Sequence, residues 1–136
     1  MILPVYNADK TLYSAAKSCL DQTYKDLELI IIDDGSTDKS AEISNDILNK
    51  DRRVSFIQSN ENSGVSIAIE KGRTKASGAF IARMDADDIS HPERIRKQVE
   101  VLDEDSSLSG CGTSVRLMNC LLYTSDAADE GLGVDL

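Results

Sequence analysis

With 136 residues, 40% of them hydrophobic, the chain can bury one core, so a single domain is expected. Its 24 acidic and 15 basic residues leave a net charge of -9, which argues against nonspecific nucleic-acid binding and favours a metal ion, or a ligand carried on one, as the partner of acidic sites. No run approaches the roughly 20 apolar residues that span a bilayer, and the amino terminus lacks the basic-then-apolar pattern of a signal peptide. Cys19, Cys111 and Cys120 have no metal-ligand spacing and cannot all pair, so reduced thiols in a soluble, cytoplasmic chain are expected.

Residues 1–5 read as a short apolar strand, with Pro4 better suited to its end than its middle, and Tyr6 and Asn7 as the loop that leaves it. From residue 9 to 20, Leu12, Ala15, Ala16, Cys19 and Leu20 fall on one helical face. Residues 27–32 are nearly all apolar, without alternation, as in a parallel strand covered on both faces. That run ends in Asp33 and Asp34. Gly35 then permits a tight turn before Thr37 or Asp38 caps a helix carrying Ala41, Ile43, Ile47 and Leu48.

Val54–Gln58 reads as a third strand. Ser63 is the expected cap, and Gly78 the stop, of a helix with Val65, Ala68, Ile69, Gly72 and Ala76 on one face. Residues 79–84 read as a fourth, buried strand that ends in Asp85, Asp87 and Asp88. Pro92 opens a further helix, capped by Ser90 or His91, whose buried stripe is Ile95, Val99 and Leu102. Residues 108–118 suggest another strand. Strand and helix alternate, so the expected fold class is α/β, a mainly parallel sheet with right-handed crossovers and helices on both faces.

If the first strand lies between the second and fourth, then Tyr6, Asp33 or Asp34, and residues 85–88 line one crevice at the carboxyl edge, where open α/β sheets bind ligands. A nucleoside base could stack on Tyr6 while a carboxylate accepts its N–H. A metal held by Asp85, Asp87 and Asp88 would bridge to a diphosphate, since hard carboxylates suit Mg²⁺ or Mn²⁺. No competing phosphate loop, G-x-G-x-x-G or G-x-x-x-x-G-K-[ST], occurs. On its own, a D-x-D triplet is more often a solvated loop that caps the next helix.

The ordered set Pro4-Val5-Tyr6-Asn7, Asp21-Gln22-Thr23-Tyr24, Leu29 to Asp38 (LIIIDDGSTD), Asn62-x-Gly64, Ala76-x-Gly78 and Met84-Asp85-Ala86-Asp87-Asp88 closely resembles the family 2 glycosyltransferases. The resemblance runs from residue 1 to about residue 113. It implies a GT-A, Rossmann-like nucleotide-diphospho-sugar transferase fold, a UDP-sugar donor, and inverting transfer to the hydroxyl of a saccharide or lipid-linked acceptor, as in bacterial cell-surface polysaccharide synthesis. By the same resemblance Tyr6 lies beside the base, Asp34 or its neighbour Asp33 hydrogen-bonds it, and Pro4 and Ala86 belong to the same nucleotide site. Asp85 and Asp87 stand near ribose, diphosphate and an Mg²⁺ or Mn²⁺ ion, with Asp88 as a further metal ligand. Arg73 and Lys75 read as a solvated helix face, and His91 as a cap rather than a base.

Two departures from the family pattern stand out. Ile69-Glu70 precedes Lys71-Gly72 where many relatives carry Arg-Asn, and nothing after Asp88 matches the family's catalytic carboxylate, so the chain reads as truncated at its carboxyl end. Residues 120–136 resemble a translated sequencing adapter, which places the expected end of the partial glycosyltransferase domain at Asn119 and makes the rest a non-native tail. Membrane association is expected, if at all, through segments outside this sequence. A nucleotide-binding module without turnover is the alternative. A receiver-like signalling domain would need a lysine at the end of a later strand, and none is placed there.

Overall fold

The computed structural model describes residues 1–118, with the elements β1 (Ile2–Val5), α1 (Leu12–Leu20), β2 (Leu29–Asp33), α2 (Ser40–Lys50), β3 (Val54–Gln58), α3 (Val65–Lys75) and α4 (Arg94–Glu104). The strands form one parallel sheet in the order β1-β2-β3. β2 is central and buried at every position, which is why its sequence is a continuous apolar run. Its alternate residues serve two cores. Leu29 and Ile31 pack with Leu3, Val5, Leu12, Cys19, Ile47 and Ile95 on one face, while Ile30 and Ile32 pack with Ile2 and Ala68 on the other. The α/β architecture with helices on both faces is therefore observed: α1, α2 and α4 cover one side and α3 the other.

Close approach sets the position of α3. A Cβ on Gly72 would stand 2.8 Å from Ile2 Cγ2 and 2.8 Å from Ile32 Cδ1, so the helix rides on the sheet where only a glycine fits without displacement. The turn after α3 is tied back by Glu28, whose Oε1 accepts Ser77 N–H at 2.7 Å, the Ser77 hydroxyl at 2.8 Å and Gly78 N–H at 3.3 Å. These bonds, the Ser77 amide first, hold the Glu28 carboxyl below the usual range. α3 itself ends at Lys75 with Ala76 as its C-cap, so Gly78 is not the stop expected of it.

Four further expectations change. The first helix starts at Leu12, because residues 9–11 form a turn in which Thr11 and Leu12 N–H both donate to Ala8 carbonyl at 3.0 and 2.9 Å. Ser63 does not cap α3, whose N-cap is Gly64 without a side-chain cap bond. The fourth strand is reduced to an isolated parallel bridge between Ile2 and Arg83. Ile2 N–H donates to Ala82 carbonyl at 2.8 Å and Met84 N–H to Ile2 carbonyl at 3.0 Å. The next donor that β1 would offer on that edge is Pro4, which has no N–H, so the ladder stops. Phe80 and Ile81, predicted to be buried, are 44% and 49% exposed. Residues 108–117 form no strand, and Val115 and Leu117 are exposed.

Cys19 and Cys111 are free thiols, and burial pushes Cys19 up to about 11, so it packs as an inert apolar group. Among the described residues no helix is long and apolar enough to cross a membrane. Cys120, the boundary expected at Asn119 and the tail that follows lie outside the described residues.

Candidate functional site

β1 and β2 end at the same edge, and the loops that leave them are zippered together. Asp34 N–H donates to Val5 carbonyl at 2.8 Å, Asn7 N–H to Ser36 Oγ at 2.9 Å, Ala8 N–H to Ser40 Oγ at 2.9 Å and Asp9 N–H to Asp38 Oδ2 at 3.0 Å. Asn7 Oδ1 accepts Thr37 N–H at 2.8 Å. Asn7 has φ 50, a left-handed conformation that asparagine tolerates better than most residues. This rigid corner leaves Tyr6 half exposed at the rim.

Asp33 and Asp34 are turned inward. Asp33 is fully buried, and its Oδ1 accepts Ser36 N–H at 3.1 Å. Asp34 is 3% exposed. Its Oδ2 accepts Ser63 N–H at 3.0 Å and Gly64 N–H at 2.7 Å, tying down the loop that enters α3, with Gly64 N–H shared with Asn62 Oδ1 at 3.0 Å. Gly64 takes φ 92 there. Asp33 Oδ2 and Asp34 Oδ1 have no hydrogen-bond partner among the described residues.

The second acidic group is built differently. Residues 85–88 form a turn closed by Asp88 N–H to Asp85 carbonyl at 3.2 Å. Asp85 Oδ1 accepts from Arg83 Nε at 3.1 Å and Arg83 Nη2 at 2.8 Å. Both side chains of that pair are about half exposed, and such a pair is worth less than about 1 kcal/mol, so a cation can displace the arginine at little cost. Asp87 and Asp88 are exposed. After the turn, His91 Nδ1 accepts Glu93 N–H at 3.2 Å, but α4 begins at Arg94, later than expected from Pro92, with Glu93 at its N-cap and no side-chain cap bond. Arg73 is occupied by Glu70 at 2.6 Å on the solvated face of α3.

A cleft of about 320 Å³ opens between the Tyr6 loop and the 85–88 turn. Of the residues expected in a nucleotide site, Pro4, Tyr6, Asp85, Ala86 and Asp87 line it, whereas Asp33 and Asp34 do not. Asn7, Ala8, Thr11 and Val65 complete the lining and were not anticipated. Asn7 and Ala8 follow Tyr6 in the same loop and were within reach of the strand-end argument; Val65 belongs to α3, and only the tertiary fold brings it here. A second, broader depression of about 540 Å³ lies beyond β3, between Gln58, Asn60, Glu61 and Lys71. Its lysine already donates to Ser59 Oγ at 2.7 Å.

The expected three-carboxylate metal set is not a preformed cage. Among the described residues no three of His, Cys, Asp and Glu could hold an ion by themselves, and Asp88 does not line the cleft. The turn itself is the reason, since its backbone closes Asp88 back on Asp85. Asp85 and Asp87 do share the cleft wall. Two hard carboxylates suit Mg²⁺ or Mn²⁺ when water and ligand phosphate oxygens fill the other positions.

A parallel sheet with a cleft at its carboxyl edge and acidic side chains on the rim defines an α/β domain with a ligand site where such sheets bind their ligands. The chain belongs to glycosyl transferase family 2, whose family model matches residues 1–126. It is 44% identical over 102 residues to an uncharacterized glycosyltransferase of Haemophilus influenzae, covering 75% of this chain and 41% of that protein. It is 35% identical over 108 residues to glycosyltransferase GlyG of Streptococcus pneumoniae, covering 77% of this chain and 36% of that one. The chain thus spans about two fifths of the length of such relatives.

Among solved structures, S. aureus TarS 1–349 in complex with UDP-GlcNAc matches at TM-score 0.66 and 25% identity, over 85% of this chain and 36% of that one. The mannosyltransferase PcManGT from Pyrobaculum calidifontis, in complex with GDP-Man and Mn²⁺, matches at TM-score 0.69 and 21% identity, over 74% of this chain and 31% of that one. The second likeness is one of fold.

Proposed function

We propose that the cleft binds a UDP-linked sugar together with Mg²⁺ or Mn²⁺ held by Asp85 and Asp87, and that the whole protein transfers the sugar to an acceptor hydroxyl with inversion at the anomeric carbon. The observation that carries this reading is that Tyr6 and two carboxylates not consumed by the fold, Asp85 and Asp87, line one cleft at the carboxyl edge of a parallel sheet. The UDP-GlcNAc complex of TarS supports the donor class.

In this reading the Tyr6 ring stacks on the base. Asp34, or its neighbour Asp33, is assigned to the base, because each keeps one carboxylate oxygen without a hydrogen-bond partner among the described residues, although neither lines the cleft in the free chain. Asp85 exchanges its bond to Arg83 for the cation, and Asp87 supplies the second carboxylate. Asp88 is assigned to the turn rather than to the metal. When bound, the ion offsets the negative charge that the departing nucleoside diphosphate gains, acting as a Lewis acid. The group that deprotonates the acceptor hydroxyl is assigned to none of the described residues. The acceptor is a saccharide or lipid-linked sugar of a bacterial cell-surface polysaccharide, met on the cytoplasmic side.

The test is calorimetric titration of UDP, with and without Mn²⁺, into the wild-type chain and into Asp87→Ala. Mn²⁺ is expected to tighten UDP binding in the wild type and not in the variant. Equal UDP affinity under all four conditions would overturn the metal assignment. Metal-dependent hydrolysis of UDP-GlcNAc without acceptor would exclude a binding module without turnover.

A further inference from the structure

The motif residue Gln22 has no part in the cleft, yet it is fully buried and wholly engaged. A carboxamide taken out of water is costly unless both of its ends find partners. Here Nε2 donates to Ser18 carbonyl at 3.0 Å, to Ser90 Oγ at 3.2 Å and to His91 carbonyl at 2.9 Å. Oε1 accepts Ile95 N–H, in the first turn of α4, at 3.0 Å. Apart from Ser18, these partners lie 68 to 73 residues along the chain. Neighbouring bonds strengthen the join. Ser90 N–H donates to Ser18 Oγ at 2.9 Å, and Thr23 N–H to Pro92 carbonyl at 2.9 Å.

The acidic turn is therefore suspended between two anchors. On one side Met84 N–H is bonded to Ile2 at the edge of the sheet. On the other, residues 90–95 are fastened to the end of α1 by Gln22. Among the described residues no ladder continues past the Ile2–Arg83 bridge, so the sheet alone does not fix where Asp85 and Asp87 stand. A short loop pinned at both ends has far fewer arrangements than one pinned at a single end.

We infer that Gln22 is a positioning residue for the acidic turn: it clamps residues 90–95 to α1 and so fixes the two carboxylates for cation binding. The cation part of this rests on the proposed function; the clamp itself does not. Because Gln22 touches neither nucleotide nor metal in this arrangement, its loss should separate metal-dependent from metal-independent binding.

The experiment compares wild type with Gln22→Met by two readouts, amide hydrogen exchange of the free chain and UDP titration with and without Mn²⁺. In the variant the amides of Ser90 and Ile95 should exchange at least about tenfold faster while those of β2 do not change. The Mn²⁺-dependent gain in UDP affinity should fall about tenfold, the size typical of losing a supporting contact behind a metal ligand. UDP binding without Mn²⁺ should stay the same. Unchanged exchange at Ser90 and Ile95, an unchanged Mn²⁺ gain, or an equal fall in metal-free UDP binding would each overturn the inference. A wild-type chain whose UDP affinity ignores Mn²⁺ would instead overturn the proposed function, and the exchange readout then decides the clamp alone. If Gln22→Met does not fold, Ser90→Ala removes one of the four bonds and should give the same pattern at smaller size.

Discussion

Asp33 and Asp34 at the end of β2, and Asp85 and Asp87 beyond the Ile2–Arg83 bridge, end neighbouring stretches of chain at one edge of the sheet, yet they are used in opposite ways. The first pair is buried, with oxygens accepting backbone N–H groups of Ser36, Ser63 and Gly64. The second lines an open cleft, and its one strong partner is an exposed arginine. A carboxylate that accepts buried amides is committed to the fold, because removing it strands those amides away from water. A carboxylate held by an exposed guanidinium is available, because water or a cation replaces that partner cheaply. Stability should therefore depend on the first pair and metal binding on the second.

The largest effect is expected where the first pair meets the backbone. Gly35 follows Asp34 at φ 77, and a Cβ there would stand 2.5 Å from the Glu61 carbonyl carbon. Gly35→Ala adds left-handed strain to a clash with main chain, and unfolding in urea should show a loss of about 3 kcal/mol. Asp34→Ala comes next, with about 2 kcal/mol lost as the Ser63 amide loses its acceptor and the Gly64 amide keeps only Asn62 Oδ1. Asp87→Ala should change stability by less than about 0.5 kcal/mol while abolishing the Mn²⁺ effect on UDP. Equal destabilisation by Asp34→Ala and Asp87→Ala would break the comparison.

A smaller effect sharpens it. Arg83→Ala releases Asp85, and Mn²⁺ with UDP should then bind up to about fivefold more tightly, the worth of an exposed ion pair. Weaker binding would mean that Arg83 itself contacts the ligand.

The smallest effect lies far from the cleft. Arg53 grips Asp51 through Nε and Nη2, and this hydrogen-bonded guanidinium lowers the Asp51 carboxyl from 3.8 to about 2. A depressed carboxyl stabilises above its unfolded value, so the contribution is complete above about pH 4 and is lost as the pH falls toward 2. Screened by solvent, it amounts to less than about 1 kcal/mol. Arg53→Ala should flatten that acid limb in unfolding experiments and leave UDP binding alone.

How legible each region was in the sequence follows the same division. The helical stripe from Leu12 to Cys19, the apolar run of β2 and the strand Val54–Gln58 announce themselves because periodicity reports burial directly. Asp85 and Asp87 are legible because their partners in the cleft, Pro4 and Tyr6, also stand at a strand end. The fate of Asp34 is not, since it depends on amides 29 and 30 residues away. Residues 79–84 misled for a related reason: their apolar character promises a strand, but they bond to β1 only through Ile2, and Pro4 has no N–H to carry the pairing past Met84. Gln22 looked like one letter of a motif, and only the fold shows what it holds.

The most direct test is paramagnetic broadening by Mn²⁺, in the presence of UDP, of the backbone amide signals of the isotope-labelled chain. With the ion at Asp85 and Asp87, the amides of Ala86 and Asp87 should vanish at the lowest Mn²⁺ concentrations, while those of Ser63 and Gly64, tied to Asp34, persist. Broadening that begins at Ser63 and Gly64, or that spreads evenly over the acidic surface, would contradict the assignment of the metal to the 85–88 turn.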